Sequence, residues 1–167
     1  MTPEERRGFV RGHRTGVLGY ARSGHGPAMS VVHYVVDEDD SILVSTTAGR
    51  GKARAVARSS KVSLCVLDEQ WPPTYVQVYA DAVVDDDPTT AADTMLRVGG
   101  ALAGAPLDES LRPFLAEKAQ AEDRVVLRLR PYATFETAPG TPPTTETGAL
   151  PWRDAHDPTE DLACSDS

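Results

Sequence analysis

Short runs of alternating or continuously apolar residues recur along most of the chain. Gly16 to Ala21, Ala28 to Val36, Ile42 to Thr46, Lys61 to Leu67, Thr74 to Val84 and Arg124 to Glu136 carry many β-branched and aromatic residues, and each reads as a strand. In the last run Val125, Leu127 and Leu129 alternate with Arg128 and Arg130. Gly24-His25-Gly26-Pro27 marks a turn, and Asp37-Glu38-Asp39-Asp40 is too polar for a strand and reads as a hairpin loop. The period changes between Gly49 and Ser59. Ala53, Val56 and Ala57 recur at helical spacing there, while Arg50, Arg54 and Arg58 fall four apart on another face. Thr2-Pro3-Glu4-Glu5 predicts a helix start, with Thr2 as cap, Pro3 in the first turn and Glu5 completing a capping box. Asp87-Pro88 opens a helix to about Leu102, Gly104-Ala105-Pro106 breaks it, and Asp108 caps another that ends near Ala121.

The predicted order is helix, three strands, short helix, two strands, two helices, one strand. Strands with hairpin-type connections make an antiparallel sheet, and about six of them with few helices suit a small barrel better than a doubly wound sheet. The expected class is mainly β with peripheral helices, a six-stranded antiparallel barrel. No Gly-rich dinucleotide fingerprint follows a strand. After Ala138 the composition shifts to Pro, Thr, Asp and Glu, so residues 1–138 are expected to form the domain and 139–167 a disordered or extended tail with Trp152 as its large apolar anchor.

With 167 residues the chain suits one domain. A net charge of −8 argues against a general nucleic-acid binder. No stretch stays apolar for the ~18 residues a membrane helix needs, and the start MTPEERRGFV lacks a signal-type apolar segment, so a cytoplasmic location is expected. Cys65, inside an apolar strand-like run, reads as a buried core thiol, and Cys164 lies in the polar tail. No Cys/His cluster has metal-ligand spacing.

Charge reverses locally. Thr46 to Lys61 holds Arg50, Lys52, Arg54, Arg58 and Lys61 and no acid, a net of +5 inside a chain of −8, which leaves −13 for the rest. Gly49 and Gly51 allow close backbone approach where the segment opens a helix, whose free N–H groups favour an anion. Arg50 can grip an oxyanion with two N–H groups, Lys52 adds a point charge, and Ser45, Thr46 and Thr47 offer hydroxyls just upstream. These make a candidate phosphate cradle. A solvated basic helix face paired with the acidic loops is the competing reading.

The series Pro27-Ala28-Met29-Ser30-Val31-Val32-His33-Tyr34, Ile42-Leu43-Val44-Ser45-Thr46, Gly49-Arg50-Gly51-Lys52-Ala53-Arg54 and Lys61-Val62-Ser63-Leu64 resembles the pyridoxamine-phosphate-oxidase-like, FMN-binding split-barrel proteins. Within them it is most similar to the B group of deazaflavin-dependent oxidoreductases, which use coenzyme F-420. The resemblance covers roughly Arg14 to Val84, with a weaker match at Arg124 to Glu136. It implies that Arg50 and Lys52 bind the cofactor phosphate near the hydroxyls of Ser45, Thr46 and Thr47. It also implies that Ser30, Val31 and Val32 run along the deazaflavin ring. Many relatives follow the Lys with Asn-Leu, and here Ala55-Val56 stands instead. The resemblance further implies a homodimer with cofactor sites at the subunit interface, and hydride transfer from reduced deazaflavin to an unsaturated small molecule. The cofactor carries that chemistry, so no dedicated catalytic side chain is required.

FMN is the alternative cofactor, and a non-catalytic flavin- or haem-binding protein is the alternative function. Pyridoxamine phosphate oxidase activity itself is disfavoured, because no Arg-and-His segment of the kind expected for its substrate follows the final strand. A nucleic-acid-binding barrel ranks last, since aromatics are only 6% of residues and single strands need stacking platforms. His33 and Tyr34 are the tempting proton donors. As strand neighbours they point to opposite faces, and ordinary packing or exposure is the simpler reading of each. Gln77 reads as part of a solvated strand face, and Trp71 as a pocket or dimer-packing residue.

Overall fold

The computed structural model describes residues 1–68, 70, 73–137 and 150–152. The capping box forms as read: Glu5 N donates to Thr2 Oγ1 (3.1 Å) and Thr2 N donates to Glu5 Oε2 (2.6 Å). It starts helix α1 (Pro3–Gly12), whose Val10 is fully buried. Strand β1 (Thr15–Tyr20) follows and pairs antiparallel with β2 (Ala28–His33) across the Gly24–Pro27 turn.

The second apolar run is not one strand, as expected, but two. It breaks at Tyr34, and β3 (Val35–Val36) pairs instead with β4 (Ile42–Thr47) across the acidic hairpin. Helix α2 (Gly51–Arg58), β5 (Lys61–Asp68), β6 (Thr74–Asp85), α3 (Pro88–Ala103), a single 3₁₀ turn (Glu109–Leu111), α4 (Arg112–Ala121) and β7 (Arg124–Thr137) complete the domain. Two further residues, β8 (Leu150–Pro151), pair with Ala133 and Thr134 of β7. The sheet path is β2-β1-β5-β6-β7-β4-β3, with every pairing antiparallel. Seven strands therefore stand on the path where six were expected.

That order fixes the shape. The end strands β2 and β3 are separated in the chain by Tyr34 alone, so the sheet curls until its two edges approach. No ladder joins those edges among the described residues, so the sheet is a curled half-barrel rather than a closed ring. Two glycines of β1 serve the curl. A Cβ on Gly16 would lie 2.9 Å from the Cys65 backbone carbonyl oxygen, so glycine is required there, and one on Gly19 would lie 2.7 Å from Ser63 Oγ, which would have to turn aside. The long strands β6 and β7 shift register between Tyr79 and Ala80, which leaves Tyr132 extra and puts Pro131, which has no N–H to donate, at the irregularity.

The concave face is the core. Leu18, Ile42, Val44, Leu64, Val66, Val76, Val78, Leu127 and Leu129 meet there, with Val10 from α1 and Trp152 from beyond β8. The other face of β4 and β7 is also covered: Leu43 and Val126 pack with Ala91 of α3 and Ala119 of α4. Both faces of β4 are thus buried, which explains its unbroken Ile-Leu-Val start. On α2 the buried residues are Ala53, Ala55 and Val56, while Ala57 is exposed, so the apolar stripe is rotated by one position from the spacing first read. Cys65 is only half-buried, on the face of β5 away from the core; burial raises its thiol's pKa and keeps it protonated. Trp71, Cys164 and all of 138–149 and 153–167 lie outside the described residues. No helix among the described residues is long and apolar enough to cross a membrane.

Trp152 is 3% exposed, and Arg7 donates to its carbonyl (3.2 Å). Replacing Trp152 with Ala should cost roughly 3–5 kcal/mol in urea unfolding, the usual loss for a large buried ring. A cost under about 1 kcal/mol would show that this residue is not part of the core.

Asp37 ties the acidic hairpin to the domain, accepting from Arg97 (3.1 Å) and Arg128 (3.2 Å). Burial works against ionising it, but the hydrogen bonds from Arg128, Glu38 N–H and Arg97 outweigh burial and lower its pKa below the ordinary value. A lowered carboxylate pKa stabilises the fold above the unfolded value of about 4 and loses that contribution as pH falls through the folded value. Asp37→Asn should therefore cost about 1 kcal/mol at pH 7, given the partial exposure of the pairs, and the gap to the parent should close below about pH 4. Thermal melts at pH 7 and pH 3 measure it.

Candidate functional site

The end of β4 and the start of α2 build one wall of a cavity. Ser45, Thr46 and Thr47 are the last residues of β4; Arg50 N donates to Thr47 O (3.0 Å), and the chain turns into α2 at Gly51. Arg50 occupies the N-cap place but makes no side-chain cap, and the first turn of α2 has no acid. The first N–H groups of the helix are left without a side-chain acceptor, an arrangement that favours an anion. The side chains of Arg50 and Lys52 make no ion pair or hydrogen bond among the described residues. Desolvation, reinforced by the charge of Arg50, lowers the Lys52 pKa.

The cavity holds about 620 Å³, within the range of small-molecule and cofactor sites. Its polar end is Ser45, Thr46, Thr47, Arg50, Lys52 and Arg124. Val31, Val32 and His33 of β2 form one side. The opposite wall is apolar, from Met95, Val98 and Leu102 on α3, Leu107 and Leu111 in the connection, and Phe114 and Leu115 on α4. Gly99 also lines it, and a Cβ there would stand 2.7 Å from Leu107 Cδ1. Glycine at 99 leaves room for the Leu107 side chain, and Gly100 is where the backbone of the connection comes closest to α3, with the Ala105 carbonyl oxygen 3.2 Å from where its Cβ would stand.

Seven of the eight site residues read from the sequence come together on this cavity: Val31, Val32, Ser45, Thr46, Thr47, Arg50 and Lys52. Ser30 does not. Its Oγ is buried without a hydrogen-bond partner among the described residues, and it sits beside the cavity strand residues rather than on the lining. His33 lines the cavity, with Nδ1 3.0 Å from Thr15 Oγ1. Tyr34 faces away, as alternation requires; its phenol donates to Val10 O (2.8 Å), and burial raises its pKa above the ordinary tyrosine range. Gln77 lies opposite Cys65 and Phe135 in the sheet and does not line the cavity.

Two parts of the lining went unread. Arg124 donates to Glu122 Oε2 (2.8 Å) and to Ser45 Oγ (3.4 Å), and the register Thr47↔Arg124 brings it to the polar end. Register between distant strands leaves no local mark. The apolar wall had a usable signal, since Met95, Val98 and Leu102 recur at helical spacing.

Residues 2–138 match the family model described as pyridoxamine 5'-phosphate oxidase. The chain belongs to that family. No curated protein matches it in sequence. Solved structures share the fold. A conserved hypothetical protein from Mycobacterium tuberculosis superposes with a TM-score of 0.72 at 23% identity, covering 89% of this chain and 93% of the other. An F-420 reductase gives 0.61 at 24% identity, covering 80% and 98%. A haem-binding protein from Mycobacterium smegmatis gives 0.60 at 15% identity, covering 91% of this chain and 58% of that one.

The lowered Lys52 pKa has a direct consequence. Lys52 holds an anion only while it is protonated, so affinity for inorganic phosphate should fall as pH rises through that lowered value. Lys52→Arg should keep the affinity flat over the same range, because guanidinium stays charged. Calorimetric titration across alkaline pH checks both.

Proposed function

We propose that the chain is an oxidoreductase that binds a flavin-type cofactor in this cavity, coenzyme F-420 in preference to FMN, and passes a hydride to an unsaturated small-molecule acceptor. One observation carries the reading. A cavity of cofactor size is lined by two cations that have no partner among the described residues, at an uncapped helix start, and by a run of apolar side chains from α3 to α4. A planar ring attached to a phosphate has those two requirements. Arg50 and Lys52 would hold the phosphate with the hydroxyls of Ser45, Thr46 and Thr47, and Val31 and Val32 would lie along the ring. When bound, the deazaflavin or flavin supplies the hydride chemistry; the protein orients it and keeps water from the ring with the α3–α4 wall. His33, which lies 3.0 Å from Thr15 Oγ1, is a side chain of the lining that could pass a proton, and solvent is another source.

The reading includes a homodimer. Met29 and Val31 of the edge strand β2 are 74% and 67% exposed, and Phe114 of α4 is 61% exposed. Apolar side chains this exposed beside a cavity mouth are what a second subunit would cover.

A second reading is a binding protein for flavin or haem without turnover. It is favoured by the lining itself, which offers hydroxyls, cations and apolar surface but, among the described residues, no carboxylate.

Paired fluorescence titrations with coenzyme F-420 and FMN test the proposal. The expected result is saturable binding of F-420, weakened by roughly 1.5–3 kcal/mol in Lys52→Ala, the loss of a charged hydrogen bond. Binding of FMN alone moves the chain to the flavin alternative, and binding of neither sinks the redox reading. Bound reduced cofactor that no quinone, tetrapyrrole or nitro compound oxidises favours the second reading.

A further inference from the structure

Helix α2 has a second charged face. Gly51, Arg54, Ala55 and Arg58 follow helical spacing and form one stripe, and Arg50, one turn before Arg54, lines the first cavity instead. With Tyr20, Ala21 and Arg22 from the end of β1, that stripe lines a separate cavity of about 510 Å³. Its lining includes three guanidinium groups, a phenol and no carboxylate. The Tyr20 hydroxyl lies 3.6 Å from where a Cβ of Gly51 would stand, so it reaches across to the first turn of the helix.

The grouping is unusual for this chain. Acids outnumber bases, 25 to 17. Other arginines find carboxylates, among them Arg11 with Asp40, Arg97 with Asp37, Arg112 with Asp93 and Arg124 with Glu122, while Arg14, Arg50 and Arg130 stand without one among the described residues but outside this cavity. The side chains of Arg22, Arg54 and Arg58 have no such partner among the described residues. Arg54 and Arg58 are also four apart on one helix, where like charges repel. A concave surface that gathers three cations and no anion is stabilised by an anion that enters it. Guanidinium groups bind phosphate and carboxylate oxygens through paired N–H donors, so several of them select a ligand with more than one negative charge.

We propose that this cavity is a second ligand site, distinct from the cofactor cavity, for a small anion bearing at least two negative charges on phosphate or carboxylate oxygens. Its lining shares no residue with that of the first cavity, and it does not depend on which cofactor the first one takes.

The test uses the full chain carrying Lys52→Ala, which weakens the first cavity as an anion seat. Inorganic pyrophosphate and citrate are titrated in turn by calorimetry at low salt. The expected result is saturable binding near one equivalent, at least tenfold weaker when Arg54→Gln and Arg58→Gln are added, and weaker also with Arg22→Gln alone. Arg22 stands outside the helix, so its effect does not pass through helix stability. The preferred probe assigns the ligand to phosphate or carboxylate chemistry. Absence of saturable binding in the Lys52→Ala chain, or binding indifferent to Arg54, Arg58 and Arg22 in variants with unchanged melting temperature, overturns the proposal.

Discussion

Tyr34 stands where one run of chain leaves one edge of the sheet and joins the other. Its backbone N–H donates to Arg14 O (3.0 Å) and its phenol to Val10 O (2.8 Å), so the crossing is pinned both to the last turn of α1 and to the link between α1 and β1. The side chain is 1% exposed, and an unpaired hydroxyl at that depth would cost on the order of 1–3 kcal/mol. With the crossing held, β2 must end one side of the sheet and β3 the other, and the sheet has to curl. The curl makes an inside for Leu18, Leu64 and Leu127, and it leaves β2 standing beside the cavity that α2 opens.

The cavity joins two chemistries that come from different parts of the fold. Charge and hydroxyls arrive with the β4–α2 turn, where a helix start without cap or acid stands among cations. Apolar surface arrives with α3 and α4. The sheet between them contributes Val31, Val32 and His33 from its edge strand, which is why an opening at that edge is also an opening to the site.

Much of the fold was legible because strands and helices announce themselves by period. The capping box at Thr2, the acidic hairpin and the cap at Asp87 formed, whereas Asp108 caps the 3₁₀ turn ahead of α4 and α4 itself has no side-chain cap. The break at Tyr34 was hidden, since Ala28 to Val36 is apolar enough to read as one strand and the reason for the break lies in α1. The cradle at Arg50 and Lys52 was visible as a charge reversal, and the structure brings both onto one cavity. Ser30 shares a face of β2 with Val32 but, two residues earlier in the strand, stands off the cavity lining. Arg124 was missed because only strand pairing brings it near Thr47. Trp152 showed as an isolated large apolar residue in a polar stretch, but its seat inside the half-barrel depends on β8 taking the place beside β7 that β4 leaves vacant beyond Leu129.

The position of α3 and α4 has an evolutionary side. β6 and β7 are antiparallel neighbours, with Asp85 facing Val126, and a tight turn would suffice to connect them. Residues 88–121 are thus an insertion into a hairpin, and the whole greasy wall is encoded in one uninterrupted stretch. Exchange of that stretch would alter the apolar wall without disturbing the strand order or the anion end. A fold built this way can reshape one side of its cavity by changes within a single cassette of chain.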